Sequence, residues 1–193
     1  MVALAANKVQ NDWVRVEAAK GEDSTQAVDD LQVVVKEFDL TGYNKPKYFE
    51  SIDLPADYFT GKRVSAKGVT KECVVPRRFI IYDGEESNLD TLLHDENRCP
   101  DFDWAETFKT HIGKKIRIHT DGKFGITEAK LIYYRQPRQI SFAGCVNEFD
   151  EPTSDVECEF KDDVAEIIAE RTAAHLAGDI ELFNQMQRLN TKQ

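Results

Sequence analysis

The chain has 193 residues, of which 41% are hydrophobic and 10% aromatic, with 10 Gly and 6 Pro; this composition supports a packed core and excludes low-complexity, fibrous and disordered classes. No stretch approaches the roughly 18 uninterrupted apolar residues of a membrane span, and the apolar run after Met1 is too short for a signal peptide with its basic leader, so the expectation is a soluble, unsecreted protein. The formal net charge of −10 lies in residues 145–181, where twelve acids meet two bases; the remainder is balanced, with a local basic excess at Lys62, Arg63, Lys67, Lys71, Arg77 and Arg78. Such segregation argues against a generic nucleic-acid binder, which needs net positive charge to release counterions from phosphates, and describes an electrostatically two-faced molecule.

In chain order, Val9, Trp13 and Val16 fall at i, i+4 and i+7, and beyond Gly21 the residues Val28, Leu31, Val35 and Phe38 repeat at helical spacing. These predict two short helices packed as a hairpin, the second capped by Asp23, Ser24 or Thr25. The β-branched run Val33-Val34-Val35 equally permits a strand. From about residue 50 the pattern changes to strands at 63–69, 72–75, 115–119 and 125–134, with a short helix at 88–94 capped by Ser87 or Asn88. Thr120-Asp121-Gly122-Lys123 predicts a tight hairpin joining the last two strands, because Asp-Gly supplies positive φ angles. Ile116 and Ile118 alternating with Arg117 and His119 predict one buried and one wet face. After a loop from Gly144 to Asp155, Asp162 and Asp163 open a helix with an apolar stripe at Val164, Ile167, Ile168 and Leu176; Gly178 is a candidate break before a second stretch, 179–189.

Chemistry-bearing motifs are sparse. There is no glycine-rich phosphate loop, no Gly-x-Ser-x-Gly and no His-Glu-x-x-His. Cys73, Cys99, Cys145 and Cys158 contain no Cys-x-x-Cys pair and are expected to be free thiols. His111 and His119 are spaced for neighbouring strands, a weak metal pair beside the ordinary expectation of packed or solvated histidines. Pro100-Asp101 with Glu128-Ala129-Lys130 spells the pattern of a Mg²⁺-dependent nuclease, in which two carboxylates hold the metal and the lysine helps activate water. Strand alternation instead places Glu128 and Lys130 on one face, the usual setting of a solvated cross-strand pair. Trp104, Phe102 and Phe108 with Tyr133 and Tyr134 offer either a base-stacking platform or core packing.

Asp53-Leu54-Pro55-Ala56-Asp57-Tyr58-Phe59, the basic strands, the Thr-Asp-Gly turn, Leu131-Ile132-Tyr133-Tyr134-Arg135-Gln136-Pro137 and the acidic helix from Asp162 to Arg171 follow one another in an order that resembles neck and ring proteins of tailed bacteriophages, the crAss-like phages above all. The likeness covers about residues 30–178. It implies a structural virion protein without enzyme activity or cofactor, assembled in the host cytoplasm and stacked as a homo-oligomeric, commonly dodecameric ring between portal and tail. Its partners would be its own copies and adjacent portal, ring or tail proteins, with DNA passing unbound and no membrane involved. The expected fold is α+β: an N-terminal helical part (1–45), a β-rich central domain (46–145), and an acidic loop and C-terminal helical part (146–193) packing on the N-terminal helices. A ring needs one face to complement another, which makes Lys62, Arg63, Lys67, Arg77 and Arg78 one candidate interface set and Glu157, Glu159, Asp162, Asp163 and Glu166 the other. The alternatives are the nuclease and a soluble binding module with no virion role.

Overall fold

Among the described residues (2–20, 25–144 and 154–190) of a computed structural model, the fold is α+β, with eight strands in one mixed, curled sheet. The strands are β1 (Val35–Asp39), β2 (Gly42–Asn44), β3 (Tyr48–Ser51), β4 (Tyr58–Val69), β5 (Arg77–Asp83), β6 (Glu106–Ile112), β7 (Lys115–His119) and β8 (Gly125–Arg135). The helices are α1 (Val2–Ala19), α2 (Thr25–Asp30), α3 (Leu89–His94) and α4 (Asp162–Asn190). Lys36–Arg135 form one compact unit, and the segments on either side of it form the other.

Sheet order is β1-β8-β4-β5-β6-β7-β3-β2. Neighbours with a resolved register run antiparallel, except that β5 and β6 are parallel. The inner face buries Phe49, Val64, Ala66, Phe79, Ile116, Ile118, Phe124, Ile126, Ala129, Leu131 and Tyr133 in one cluster. Phe79 stacks on Phe124 with ring centroids 4.4 Å apart and lies 5.9 Å from Phe102. Each such side chain taken from water contributes roughly 1.5–3 kcal/mol, so this cluster is the main source of the sheet's stability.

Several expectations are corrected here. Asp121 and Gly122 do adopt positive φ (48° and 73°), and the Lys123 amide donates to the Thr120 carbonyl at 3.0 Å, so the tight turn exists. The strands it joins do not pair: β7 already has β6 on one edge and β3 on the other, while β8 lies between β1 and β4. The actual two-residue hairpin connects β6 to β7 through Gly113-Lys114, with Gly113 at φ +58°. Residues 72–75 are not a strand; Thr70 and Cys73 close a turn, the Thr70 amide donating to the Cys73 carbonyl (3.1 Å) and the Cys73 amide to the Thr70 hydroxyl (2.9 Å). His119 is buried rather than wet. The second N-terminal helix stops at Asp30, and Val35–Phe38 are strand, as the β-branched run permitted. Of its proposed caps, Asp23 and Ser24 lie outside the described residues, as does Cys145; Cys73, Cys99 and Cys158 are free.

In the other unit, α1 packs on α4. Its buried face runs Ala5, Ala6, Val9, Gln10, Trp13 and Val14, so Val9 and Trp13 are buried as expected, whereas Val16 is half-exposed at the margin of the stripe. Trp13 meets Phe160 edge-on at 5.1 Å. Two amides pin the chain leaving the sheet: Asn7 donates to the Ile140 carbonyl (3.0 Å) and accepts from its amide (2.7 Å), and the buried Gln10 donates to the Arg138 carbonyl (2.8 Å). In α4, Val164, Ile168 and Thr172 are buried at i, i+4 and i+8, while Ile167 stays exposed. Gly178 does not break the helix, which continues to Asn190. No helix among the described residues is long and apolar enough to cross a membrane.

Ile168→Asp should lower stability by at least about 3 kcal/mol, because it places an unpaired charge on the buried stripe; Ile167→Asp, one residue away on the wet side, should change it by less than about 1 kcal/mol. Chemical denaturation of both variants checks the contrast.

Candidate subunit interface

Strand alternation sorts the basic residues. Val64, Ala66 and Gly68 point into the core, so Arg63 and Lys67 lie on the outer face of β4, and the register Lys67↔Arg78 puts Arg78 beside them. Exposed Ile80 and Tyr82 continue that face along β5. Arg77 belongs to the opposite parity: its guanidinium covers the Phe102 ring at 5.1 Å and donates to the carbonyls of Phe102 (3.4 Å) and Asp103 (3.3 Å). Lys62 sits 5.7 Å from the Tyr134 ring centroid. Three of the five bases therefore share one outer face, and the other two serve local contacts.

The acidic set divides as well. Glu159 is turned inward, with 4% of its side chain exposed, and holds Arg138 through its side chain (3.3 Å) and backbone amide (2.9 Å); it is a structural residue of its unit and leaves the candidate surface. Glu157, Asp162, Asp163 and Glu166 are exposed, and no ion pair joins them to another described residue. The two aspartates occupy the first turn of α4, where the helix dipole favours negative charge.

Beside Glu157 the unit opens an apolar groove of about 560 Å³. Val2 and Ala6 of α1, Ile140 and Phe142, and Ile168 and Leu176 of α4 supply its apolar lining, with Asp155 and Glu157 at its edge. Its floor follows from α4's composition: Ala165, Ala169 and Ala173 leave the helix face thin, so no described side chain fills the space above it. Cys158 also borders it, its thiol 3.6 Å from the Gln10 side-chain oxygen and pushed up by burial.

The nuclease residues are engaged elsewhere. Asp101 accepts the backbone amides of Asp103 (2.7 Å) and Trp104 (2.9 Å), which shapes the turn they occupy. Glu128 pairs with Lys67 across the strands at 2.8 Å. Lys130 pairs with Glu37 and lies 3.6 Å from Asp39, contacts that hold its ammonium above the usual lysine range. Among the described residues no group of three or more His, Cys, Asp or Glu is placed to hold a metal ion. His111 and His119 point to opposite faces of the sheet, since His111 shares the side of its partner Ile116 whereas His119 stacks on Phe108 at 4.5 Å. Nor do the aromatics make a platform: Phe102 and Tyr133 are in the inner core, Phe108 is on the other face, and Trp104 stands alone, 80% exposed.

His119 belongs to a buried cluster on the outer face of β7. Its Nε2 lies 3.0 Å from the Thr110 hydroxyl, and burial pushes its imidazole down to about 4, with Glu86 opposing and Arg117 reinforcing the shift. Arg117 lies over the Tyr48 ring at 4.7 Å and binds Glu50 (2.8 Å) and Glu86 (3.4 Å); its hydrogen bond holds the Glu50 carboxyl below the usual range. The cluster ties β3, β6 and β7 together, which makes it structural.

With this geometry in hand, comparison with known proteins adds no relative: no protein-family model matches the chain, and no curated protein matches it.

Because the folded imidazole binds its proton more weakly than the unfolded one, the unfolded chain takes up more protons as pH falls, and stability should drop between about pH 6.5 and pH 4, by up to about 3 kcal/mol. His119→Gln should flatten that limb of a denaturation-versus-pH series; an unchanged limb would place the titration elsewhere. Glu128→Ala should cost less than about 1 kcal/mol, as exposed pairs do, and should leave unaltered any Mg²⁺-dependent DNA cleavage measured with purified protein.

Proposed function

We propose that the protein is a structural virion component, the subunit of a homo-oligomeric ring in the neck of a tailed bacteriophage, between portal and tail, around the channel through which DNA passes. The observation that carries this reading is the pair of unlike, complementary surfaces on one chain: an outer sheet face carrying Arg63, Lys67 and Arg78, and an apolar groove with Asp155 and Glu157 at its edge and Asp162 and Glu166 close by on α4. Head-to-tail association needs two different surfaces on each subunit, and opposite charge gives such contacts their orientation. The order of the Leu-Pro-x-Asp-Tyr, Tyr-x-Arg-x-Pro and acidic-helix segments supports the virion context. The subunit has no catalytic role and no cofactor in this reading, and a predominantly acidic chain repels DNA and lets it slide.

Purified protein examined by light scattering and negative-stain microscopy should give closed rings, commonly dodecameric, whose formation weakens as salt rises because the charged rim is screened. A chain that stays monomeric at all accessible concentrations would refute the ring.

A further inference from the structure

The most exposed apolar side chains of the sheet unit gather at one end of it. Val74 is 78% exposed, Val75 68% and Trp104 80%. The two valines crown the loop between β4 and β5, and Trp104 the turn between Asp101 and Glu106; Arg77, at the start of β5, joins the two by donating to the carbonyls of Phe102 and Asp103. Lys71 and Arg78 flank the valines and make no ion pair with a described residue; Glu72 lies between Lys71 and the valines, and Asp103, beside Trp104, faces Arg77 at 4.0 Å. Large apolar residues held in water at one end of the unit, with two bases beside them that have no ion-pair partner among the described residues, mark an interaction surface.

The groove of the other unit has the converse character. Its lining is aliphatic and aromatic, and its edge carries Asp155 and Glu157. Asp162 extends the helix stripe of Ala165, Ala169 and Ala173, one turn before it. Glu166 stands beside that stripe, exposed and without an ion-pair partner among the described residues, whereas Asp163 lies on another face of α4. An apolar tip offering the bases Lys71 and Arg78 and an apolar groove offering the acids Glu157 and Asp162 are complementary in both terms, and the same chain supplies both.

We infer that the tip carrying Val74, Val75 and Trp104 of one copy seats in the α1–α4 groove of a second copy, with Lys71 and Arg78 against Glu157 and Asp162. The inference deepens the ring reading, on which it rests only in requiring that copies associate head to tail. Burial of the valines and the tryptophan supplies the affinity, and the charges set the orientation of approach. Because the contact is heterologous, an open chain of copies keeps one free tip at one end and one free groove at the other until a ring closes.

Two full-length variants test it, both altered only at exposed positions: a tip variant, Val74→Asp with Val75→Asp, and a groove variant, Ala169→Arg with Ala173→Arg. Circular dichroism first establishes that each is folded. Analytical ultracentrifugation of each variant alone should show self-association weakened at least about 100-fold relative to the unaltered chain. An equimolar mixture should form a capped one-to-one dimer that grows no further, since the groove of the tip variant is intact and so is the tip of the groove variant. If either variant alone keeps the mass of the unaltered chain, the tip or groove is not the contact; the docking is overturned and the ring survives through another surface. If the mixture remains monomeric, docking is likewise overturned. If the unaltered chain is itself monomeric throughout, the ring and the docking fall together.

Discussion

Leu40 and Thr41 are the only residues between β1 and β2, and those strands stand at the two ends of the sheet order. Three Cα steps of 3.8 Å span at most about 11 Å, whereas eight strands laid flat at roughly 4.8 Å spacing would put the ends about 34 Å apart. The sheet must therefore curl until its edges approach, and the rest of the unit follows from that requirement. Gly42 stands where the curl is tightest: a Cβ there would come within 2.2 Å of the Glu50 carbonyl oxygen. Asn44 fastens the far edge, donating to the Ile126 carbonyl at 2.8 Å and accepting its amide at 3.0 Å, so a β2 side chain takes the place of a strand-to-strand ladder with β8.

Curling separates an inside from an outside, and the parallel β5–β6 step decides what covers the outside. Parallel neighbours need a crossover, here residues 84–105, and it runs over the outer face of β6: a Cβ on Gly84 would meet Leu92 of α3 and Phe108 of β6 at 2.9 and 3.0 Å. Thr107, Phe108, Lys109 and Thr110 are consequently all buried, which makes β6 a strand dry on both faces. Lys109 meets that condition by keeping its stem inside and carrying its ammonium to the exposed Asp83. His119 has no such reach, and its imidazole is held neutral by burial. The same crossover ends in the Asp101–Glu106 turn, where Ala105 adopts φ +54° and Trp104 is left facing water.

What the sequence disclosed and what it hid divide along this line. Signals that act within a few residues were legible: the Asp121-Gly122 turn, the strands β7 and β8, the short helix α3 and the acidic start of α4. The alternation of Glu128 and Lys130 in β8 even anticipated a solvated cross-strand pair, which Glu128 makes with Lys67. Pairing partners were not legible, because a turn fixes only its own four residues; β8 left β7 for β4 since β3 had already filled the free edge of β7. Gly178 reads as a stop, yet one glycine costs a helix only about 1 kcal/mol, too little to end one that runs from Asp162. Val16 and Ile167 satisfied helical spacing but fell at the margins of their stripes, where spacing alone cannot tell a buried face from its border. Val74 and Val75 read as a strand from their type, and only the Thr70–Cys73 turn shows them to be a loop tip. The groove had no sequence signal because it is the space left by alanines.

Charge segregation was the most prominent feature of the sequence, but charge by itself holds few assemblies together. An exposed ion pair contributes roughly 0–1 kcal/mol, and three of the basic residues singled out for an interface already have local work: Lys67 on Glu128, Arg77 on two carbonyls, Lys62 beside Tyr134. An apolar anchor changes the balance, since each large side chain removed from water is worth several such pairs. The Thr70–Cys73 turn and the Arg77 bonds order the tip before any contact forms, which lowers the entropy lost on docking. Glu157 and Asp162 at the groove and Lys71 and Arg78 at the tip then act chiefly by exclusion. Tip-to-tip or groove-to-groove encounters bring like charges together and are disfavoured, leaving tip-to-groove as the arrangement that both the apolar and the electrostatic terms favour.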